Sequence, residues 1–242
     1  MLVNGSISVP LSGGSTTNLI KASNGIVTLS GSNTYTGLTT VYDGKLELGD
    51  AAQNAILNLG GADINGGQLV FYYNGATSPA GAVLSALTAS YNNPLGHFAG
   101  GQLFTSTGSS AASPGPYGLG WSDDGAASGV RVQEAAYGDA DLSGKVDFGD
   151  LGNVISNYGM TTGATWSQGD FNYDGTVDFS DLGIVIANYG ISLPSQFDPA
   201  GAQGAPRVPM GGIGSAVPEP GTLAMLAAGL IGLLAYAWRK RT

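Results

Sequence analysis

Apolar and polar residues alternate in short runs along the N-terminal part of the chain. In Ile26–Leu29 and in residues 45–48 every second side chain is apolar, and Gly or Asn residues separate the runs. A period of two residues predicts short β-strands that bury one face and end in tight turns. The rhythm continues in residues 55–59, 62–64 and 68–71, which we also predict to be strands.

Two later segments show the longer period of an amphipathic helix. After Asp150 and after Asp181, apolar residues recur at positions i, i+3, i+4 and i+7, and a glycine ends each run. This spacing predicts two short helices. Because each can bury its stripe only against a neighbouring element, we expect an antiparallel pair. The stripes are Leu151, Val154, Ile155 and Tyr158, and Leu182, Val185, Ile186 and Tyr189.

The region between these patterns is less regular. Residues 82–91 predict a short helix, and residues 129–133 alternate like a closing strand. Residues 100–116 are rich in Gly, Ser, Ala and Pro and are typical of turns and loop, and Asp123-Asp124 is typical of a solvated turn.

A twelve-residue acidic pattern occurs twice, beginning at Asp139 and at Asp170. Oxygen-bearing side chains stand at positions 1, 3, 5, 9 and 12, and Gly stands at position 6. A hard cation such as Ca²⁺ needs this layout, in which the backbone carbonyl of position 7 supplies a further oxygen. We expect two Ca²⁺ ions, bound in a way that is coupled to folding. The predicted ligands are Asp139, Asp141, Ser143, Lys145 (carbonyl), Asp147 and Asp150, and Asp170, Asn172, Asp174, Thr176 (carbonyl), Asp178 and Asp181.

No helical stripe precedes either acidic loop, so the repeated unit is loop–helix and not the helix–loop–helix of an EF-hand. Val146 and Val177, at position 8 of each loop, predict a short strand contact between the two loops.

The duplicated Gly-Asp-x-Asx-x-Asx-Gly-x-Val-x-x-x-Asp-Leu segment resembles a type I dockerin, an EF-hand-like calcium module. The resemblance implies calcium at the twelve positions above and a cohesin-like or other docking partner. The neutral Ser143 at position 5 predicts weaker binding in the first loop. Positions 10 and 11, Phe148-Gly149 and Phe179-Ser180, depart from the small hydroxyl residues that help many dockerins recognise cohesin. Calcium binding is therefore expected, whereas cohesin recognition is not favoured.

Composition narrows the classes of function. The 242 residues carry a net charge of −9, and eight of the 17 acidic residues lie between Asp139 and Asp181. Only eight Lys and Arg are present, so no basic patch supports nucleic-acid binding. The absence of Cys excludes disulfides and thiolate metal sites. With 41 Gly and 10% charged residues, the chain is typical of an extracellular β protein.

The C-terminus holds an uncharged, apolar run at residues 221–238. Its length predicts a transmembrane helix, and the basic residues after it predict a cytoplasmic C-terminus with the rest of the protein outside. With the Pro-Glu-Pro motif before it, the tail resembles the PEP-CTERM sorting signal of Gram-negative bacteria, which implies processing by an exosortase. A plain membrane anchor is the alternative. The motif residues are Val217, Pro218, Glu219, Pro220, Arg239, Lys240 and Arg241.

Residues 25–49 are similar to the autotransporter-associated β-strand repeat. Short strands with Gly at the corners suit the rungs of a β-solenoid, or β-helix, and a small β-sandwich is the alternative. Residues 1–6 show no basic or apolar export signal. Because an exported protein needs such a signal, we expect that the protein begins upstream of Met1.

The predicted fold is a mainly β N-terminal region, a small α module of paired loop–helix units and a C-terminal transmembrane helix. The predicted divisions are a β-strand repeat region at 1–76, a loop-rich continuation with a short helix at 77–136, the dockerin-like calcium module at 137–192, a flexible linker at 193–216 and the sorting signal at 217–242.

No motif of an enzyme is present. The single histidine, His97, has no neighbouring motif partner, and no Gly-x-Ser-x-Gly elbow occurs. We therefore expect a non-catalytic, exported cell-envelope or surface protein with a calcium-stabilised docking module. The alternative is the C-terminal part of a secreted polysaccharide-degrading protein of the glycoside hydrolase type.

Overall fold

Short strands wind between two parallel sheets, which together we call the parallel stack. The computed structural model describes residues 4–53, 55–73, 77–106, 116–125 and 129–193. Odd-numbered strands form one sheet and even-numbered strands the other, and neighbours in each pair in parallel. In chain order they are β1 (Gly5–Ile7), β2 (Leu19–Lys21), β3 (Ile26–Leu29), β4 (Thr39–Val41), β5 (Lys45–Leu48), β6 (Ala62–Ile64), β7 (Gln68–Phe71) and β8 (Leu103–Phe104).

The register of the stack places equivalent apolar residues in columns. A parallel register is what stacked solenoid rungs require, whereas the β-sandwich alternative is built from antiparallel sheets. The columns form because alternate side chains of each strand point to the same face. Val27, Leu46 and Leu69 make one buried column, and Leu29, Leu48 and Phe71 make the next.

A lysine lies inside the parallel stack, which the polarity pattern did not indicate. Lys21 on β2 is 4% exposed, and its Nζ donates to the carbonyls of Ser23 and Asp43 in two successive turns. Burial lowers the pKa of Lys21, and the nearby Asp43 opposes that shift. At the same corner Gly44 has φ +64°, and an added Cβ would lie 2.6 Å from Lys21 Nζ. This corner therefore requires glycine.

Segment 55–59 is not the strand predicted from its apolar residues. Ala55–Leu59 forms a π-helical turn. Its first two residues, Ala55 and Ile56, are both 0% exposed. The prediction was wrong because an unbroken apolar run does not distinguish a strand from a buried turn.

An antiparallel hairpin extends the first sheet at its C-terminal side. It consists of β9 (Tyr117–Asp123) and β10 (Val130–Ala136), and β10 also pairs with β7. The predicted closing strand corresponds to the start of β10. The sequence did not predict strands β1, β2, β4, β8 and β9. Alternate positions in β9 are glycines, and β1, β2, β4 and β8 have only two or three residues each. Of the predicted turn, Asp123 ends β9 and Asp124 follows it, and both are exposed.

Three helices follow the predicted pattern. They are α1 (Ala80–Tyr91), α2 (Phe148–Asn157) and α3 (Phe179–Asn188), and α2 packs against α3. Helices α2 and α3 begin with reciprocal caps, in which Asp147 and Asp178 are the N-cap residues. Strand β10 precedes the first acidic loop, and a short 3₁₀ turn at Trp166–Gln168 precedes the second. Neither loop is entered by an α-helix, as predicted.

The predicted strand contact between Val146 and Val177 is replaced by other backbone hydrogen bonds. Val146 N–H donates to the carbonyl of Ile191, and Val177 N–H donates to that of Met160. Each valine therefore pairs with the segment that follows the other loop's helix, and not with the other valine. The backbone contacts between the two loop–helix units are therefore reciprocal.

The described residues form a mixed α/β fold that is mostly β, and they all belong to one compact unit. Within the described ranges, no helix has the length and apolar character needed to cross a membrane. The predicted span at 221–238, the sorting motif and linker residues 194–216 lie outside the described residues. The predicted domain boundaries stay predictions.

We expect the inner columns to carry the stability of the parallel stack. Replacing Leu48→Ala should lower the free energy of unfolding by about 2–5 kcal/mol, because the side chain is 0% exposed and leaves a cavity. Ile20→Ala, at a 62% exposed position on the neighbouring sheet, is the matched control and should change it by less than about 0.5 kcal/mol. Urea denaturation measures both; equal losses would show that the column is not the core.

Candidate metal centre

Three carboxylates of the first acidic loop converge. One oxygen of each of Asp139, Asp141 and Asp150 can be chosen so that all three lie within 4.8 Å of one another. Asp139 and Asp141 come from the start of the loop, and Asp150 comes from the first turn of α2. The loop folds back on itself here because Gly144 adopts φ +87°. Among the described residues this is the grouping of three acidic side chains that a cation would fit.

Backbone N–H groups hold the carboxylates of the first loop in place. Asp139 accepts from Gly144 N at 2.9 Å and from Ser143 N at 3.0 Å. Asp150 accepts from Ala140 N and from Asp147 N, each at 2.8 Å. Backbone groups from the start, middle and end of the loop therefore donate hydrogen bonds to the same two buried side chains, Asp139 and Asp150.

The second loop repeats this arrangement with equivalent residues. Asp170 accepts from Gly175 N at 3.0 Å, and Asp181 accepts from Phe171 N and Asp178 N, each at 3.0 Å. Position 3 is Asn172, whose amide donates to Asp174 at 2.9 Å. The second loop therefore holds one carboxylate fewer among positions 1, 3 and 12 than the first.

Burial governs the electrostatics of both loops. The side chains at positions 1 and 12 are between 0% and 2% exposed. Desolvation raises the pKa of Asp139 to about 7, repulsion from Asp150 and Asp141 adds to the shift, and the hydrogen bonds from Gly144 and Ser143 oppose it. Burial likewise raises the pKa of Asp170 to about 7. The pKa values of Asp150 and Asp181 are also raised, chiefly by burial.

Asp174, at position 5 of the second loop, behaves differently because it is exposed. Slight burial raises its pKa, but hydrogen bonds from the hydroxyl and N–H of Thr176 and from Asn172 outweigh that effect and lower it. Thr176 Oγ1 lies 2.6 Å from Asp174 Oδ1. This carboxylate is therefore ionised more readily than those at positions 1 and 12.

The remaining predicted ligands lie at the edge of the two centres. Asp147 and Asp178, at position 9, accept from Gly149 N and Ser180 N as helix caps. Ser143 Oγ donates to the carbonyl of Lys145 at 3.3 Å, so the two ligands predicted at positions 5 and 7 lie side by side.

Neither buried pair of carboxylates is neutralised by a cationic side chain in the part of the chain that the structure describes. The ion pair in this region joins Lys145 to Asp147 at 3.8 Å, at the exposed edge of the first loop. The available donors are carboxylate, amide, hydroxyl and carbonyl oxygens, which hard divalent cations prefer. The residues present therefore fit an oxygen-coordinated cation.

Sequence reasoning missed the residues that anchor the loops. Leu142 and Tyr173, both at position 4, have φ +58° and are buried. Trp166 Nε1 donates to the carbonyl of Asp139 at 2.7 Å, and the hydroxyl of Tyr173 donates to the carbonyl of Leu119. Large apolar side chains at the same position of both copies were the available signal.

The contacts of the single histidine, His97, are with Tyr91 at the end of α1. The ring of His97 stacks on that of Tyr91 at 4.0 Å, and its Nδ1 lies 2.6 Å from the Tyr91 carbonyl. Both contacts close the end of α1.

Comparison with known families gives two local matches. The passenger-associated-transport-repeat family matches residues 19–48, which span β2 to β5, and this supports the resemblance to the autotransporter-associated repeat. The PEP-CTERM protein-sorting motif matches residues 216–241 and indicates an exported, cell-surface protein with a C-terminal sorting signal. No curated protein and no solved structure matches the chain.

The raised pKa values predict the pH dependence of the metal-free protein. A carboxyl whose pKa is higher in the folded protein than in the unfolded chain stabilises the fold when protonated, and this stabilisation is lost as the pH rises from about 4 to about 7. In chelator, the melting temperature should therefore fall as the pH rises from about 4 to about 7. The double variant D139N/D170N should show a flatter profile, and an equally steep profile would contradict the assignment.

Proposed function

We propose that the chain is a non-catalytic, exported envelope protein whose two acidic loops each bind one Ca²⁺ ion in a dockerin-like module. The convergence of Asp139, Asp141 and Asp150 is the observation that carries the proposal. A bound divalent cation would offset the repulsion between buried carboxylates, which is otherwise expensive in a poorly solvated site.

The proposed ligands follow the loop positions. Carboxylates at positions 1 and 12 would hold the ion at the buried end, and positions 3, 5 and 7 would complete the shell from the exposed end. Position 9 would act through a water. In the first loop these are Asp139, Asp141, Ser143, the Lys145 carbonyl, Asp147 and Asp150; in the second they are Asp170, Asn172, Asp174, the Thr176 carbonyl, Asp178 and Asp181.

Any docking through this module would involve apolar contact. Phe148 and Phe179 begin α2 and α3 and are 72% and 73% exposed. They occupy the positions where a cohesin-binding dockerin carries small hydroxyl residues. The proposal therefore favours a protein partner with an apolar surface and does not include a cohesin.

Export and processing are part of the same proposal. Export would place residues 4–193 outside the cytoplasm, and an exosortase would recognise the Pro-Glu-Pro region and remove or exchange the apolar tail. Calcium at about 1 mM, the range to which extracellular modules are tuned, would suffice to fill sites of modest affinity.

Calorimetric titration tests the metal proposal. Wild-type protein freed of metal by chelator should bind two equivalents of Ca²⁺ with affinities in the range of about 10⁻⁴ to 10⁻³ M or tighter. Replacing Asp150→Asn should remove one equivalent and Asp181→Asn the other, because each is the buried closing ligand of its loop.

The matched control for these substitutions is Asp124→Asn. Asp124 is exposed and pairs with Arg131 outside both loops. Its replacement should leave two equivalents bound. If wild-type protein binds no Ca²⁺ at about 1 mM, the metal proposal is wrong.

The mass of the mature protein tests the processing proposal. In cells that carry an exosortase, the purified protein should lack the C-terminal peptide. The variant P218A/P220A should retain it, whereas P209A, which changes a proline outside the matched residues 216–241, should be processed normally. Mature wild-type protein that still ends at Thr242 would reject processing.

A further inference from the structure

The two acidic loops pack against one face of the β9–β10 hairpin. The contacts are made by Leu142 and Tyr173, the position-4 residues of the two loops, together with Trp166 between the loops. Gly120 on β9 makes room for Leu142 and Trp166, because an added Cβ would lie 2.5 Å from Leu142 Cδ2 and 2.8 Å from Trp166 Nε1. Gly120, which weakened the strand pattern of β9 in the sequence, therefore provides the space in which Leu142 and Trp166 pack.

Hydrogen bonds cross the same contact. The hydroxyl of Tyr173 donates to the carbonyl of Leu119 on β9. Gln133 Nε2 on β10 donates to the carbonyl of Leu142 at 3.3 Å. Backbone groups of the first loop and of β9 are thereby satisfied by side chains from across the interface.

A further bond carries the connection into the parallel stack. Gln68 Nε2 on β7 donates to Gln133 Oε1 at 2.8 Å, and both glutamines are buried. β7 and β10 also pair along four residues of each strand. A continuous set of bonds therefore runs from the last strand of the stacked sheet through Gln133 to the first acidic loop.

The hairpin closes the C-terminal end of this sheet. Strand β9 is its edge, with five consecutive buried residues, Gly118–Ser122. An edge strand otherwise presents unpaired backbone groups to other chains, and proteins commonly cover such edges. The hydroxyl of Tyr173 in the second loop satisfies one such group, the carbonyl of Leu119, and a face of β9 is covered at Gly118 by Tyr137 and Phe98.

We infer that the acidic loops form a cation-dependent end cap of the parallel stack, in which Leu142, Trp166 and Tyr173 transmit metal binding to β9 and β10. The inference rests on the proposed calcium sites. Position 4 lies between ligand positions 3 and 5, in a left-handed conformation that costs free energy for Leu and Tyr. Coordination on both sides of position 4 fixes that conformation, and with it the placement of Leu142 over Gly120 and of Tyr173 against Leu119.

Amide hydrogen exchange on the whole protein tests the end cap. We compare chelator with saturating Ca²⁺ and follow peptides that cover β9 and β10, with those covering β1 and β2 as the distant reference. At free Ca²⁺ of about 100 times the dissociation constant, opening linked to release of one ion should be suppressed about 100-fold. Exchange in β9 and β10 should slow accordingly, and exchange in β1 and β2 should slow much less.

Two variants test the contacts between the loops and β9 without changing a proposed calcium ligand. Tyr173→Phe removes only the hydroxyl bond to Leu119 and should reduce the calcium-dependent protection of β9 about fivefold, the effect of about one hydrogen bond. Gly120→Ala should displace the seated side chains and reduce it further. Tyr189→Phe, which removes a hydroxyl from a 40% exposed tyrosine after α3, is the control and should leave protection unchanged.

Calorimetry on the same samples distinguishes the failures. If the wild type binds two Ca²⁺ but exchange in β9 and β10 is unchanged, the end cap is overturned and the calcium sites stand. If Ca²⁺ slows exchange in β1 and β2 as much as in β9 and β10, the local cap is also overturned. If no Ca²⁺ binds, both the proposed function and the end cap fail.

Discussion

The burial of like charges constrains this structure more than any other feature. Asp139 and Asp150 in one loop, and Asp170 and Asp181 in the other, are almost fully buried without a cationic side chain to pair with in the described part of the chain. Backbone N–H groups satisfy their oxygens but supply only partial charge. The raised pKa values express the remaining cost, which the proposed Ca²⁺ would offset.

The loops and the strands depend on each other. Each acidic loop seats a position-4 side chain on β9, and β10 joins that hairpin to the parallel stack through β7. A stack of parallel strands needs its terminal edge covered, and a pair of short helices needs a surface on which to bury apolar side chains. The hairpin provides for both, which accounts for the single compact unit formed by the described residues.

The two local family matches agree with this arrangement. The passenger-associated-transport repeat covers strands of the stack, and the sorting motif places the protein at the cell surface. The proposed calcium sites would have the modest affinity to which extracellular modules are tuned. The net charge of −9, with its acidic residues concentrated in the loops, is consistent with that division of roles.

Local information was enough to predict the acidic loops, the helices after them and strands β3, β5, β6 and β7 of the stack, because ligand spacing and hydrophobic period act within about a dozen residues. The tertiary structure alone decided the partners of Val146 and Val177, the turn at Ala55–Leu59 and the existence of β9. In β9 the apolar contacts come from Leu142 and Trp166, which fill the space over Gly120. A glycine shows no hydrophobic signal of its own, so such a strand becomes recognisable only when distant residues pack on it.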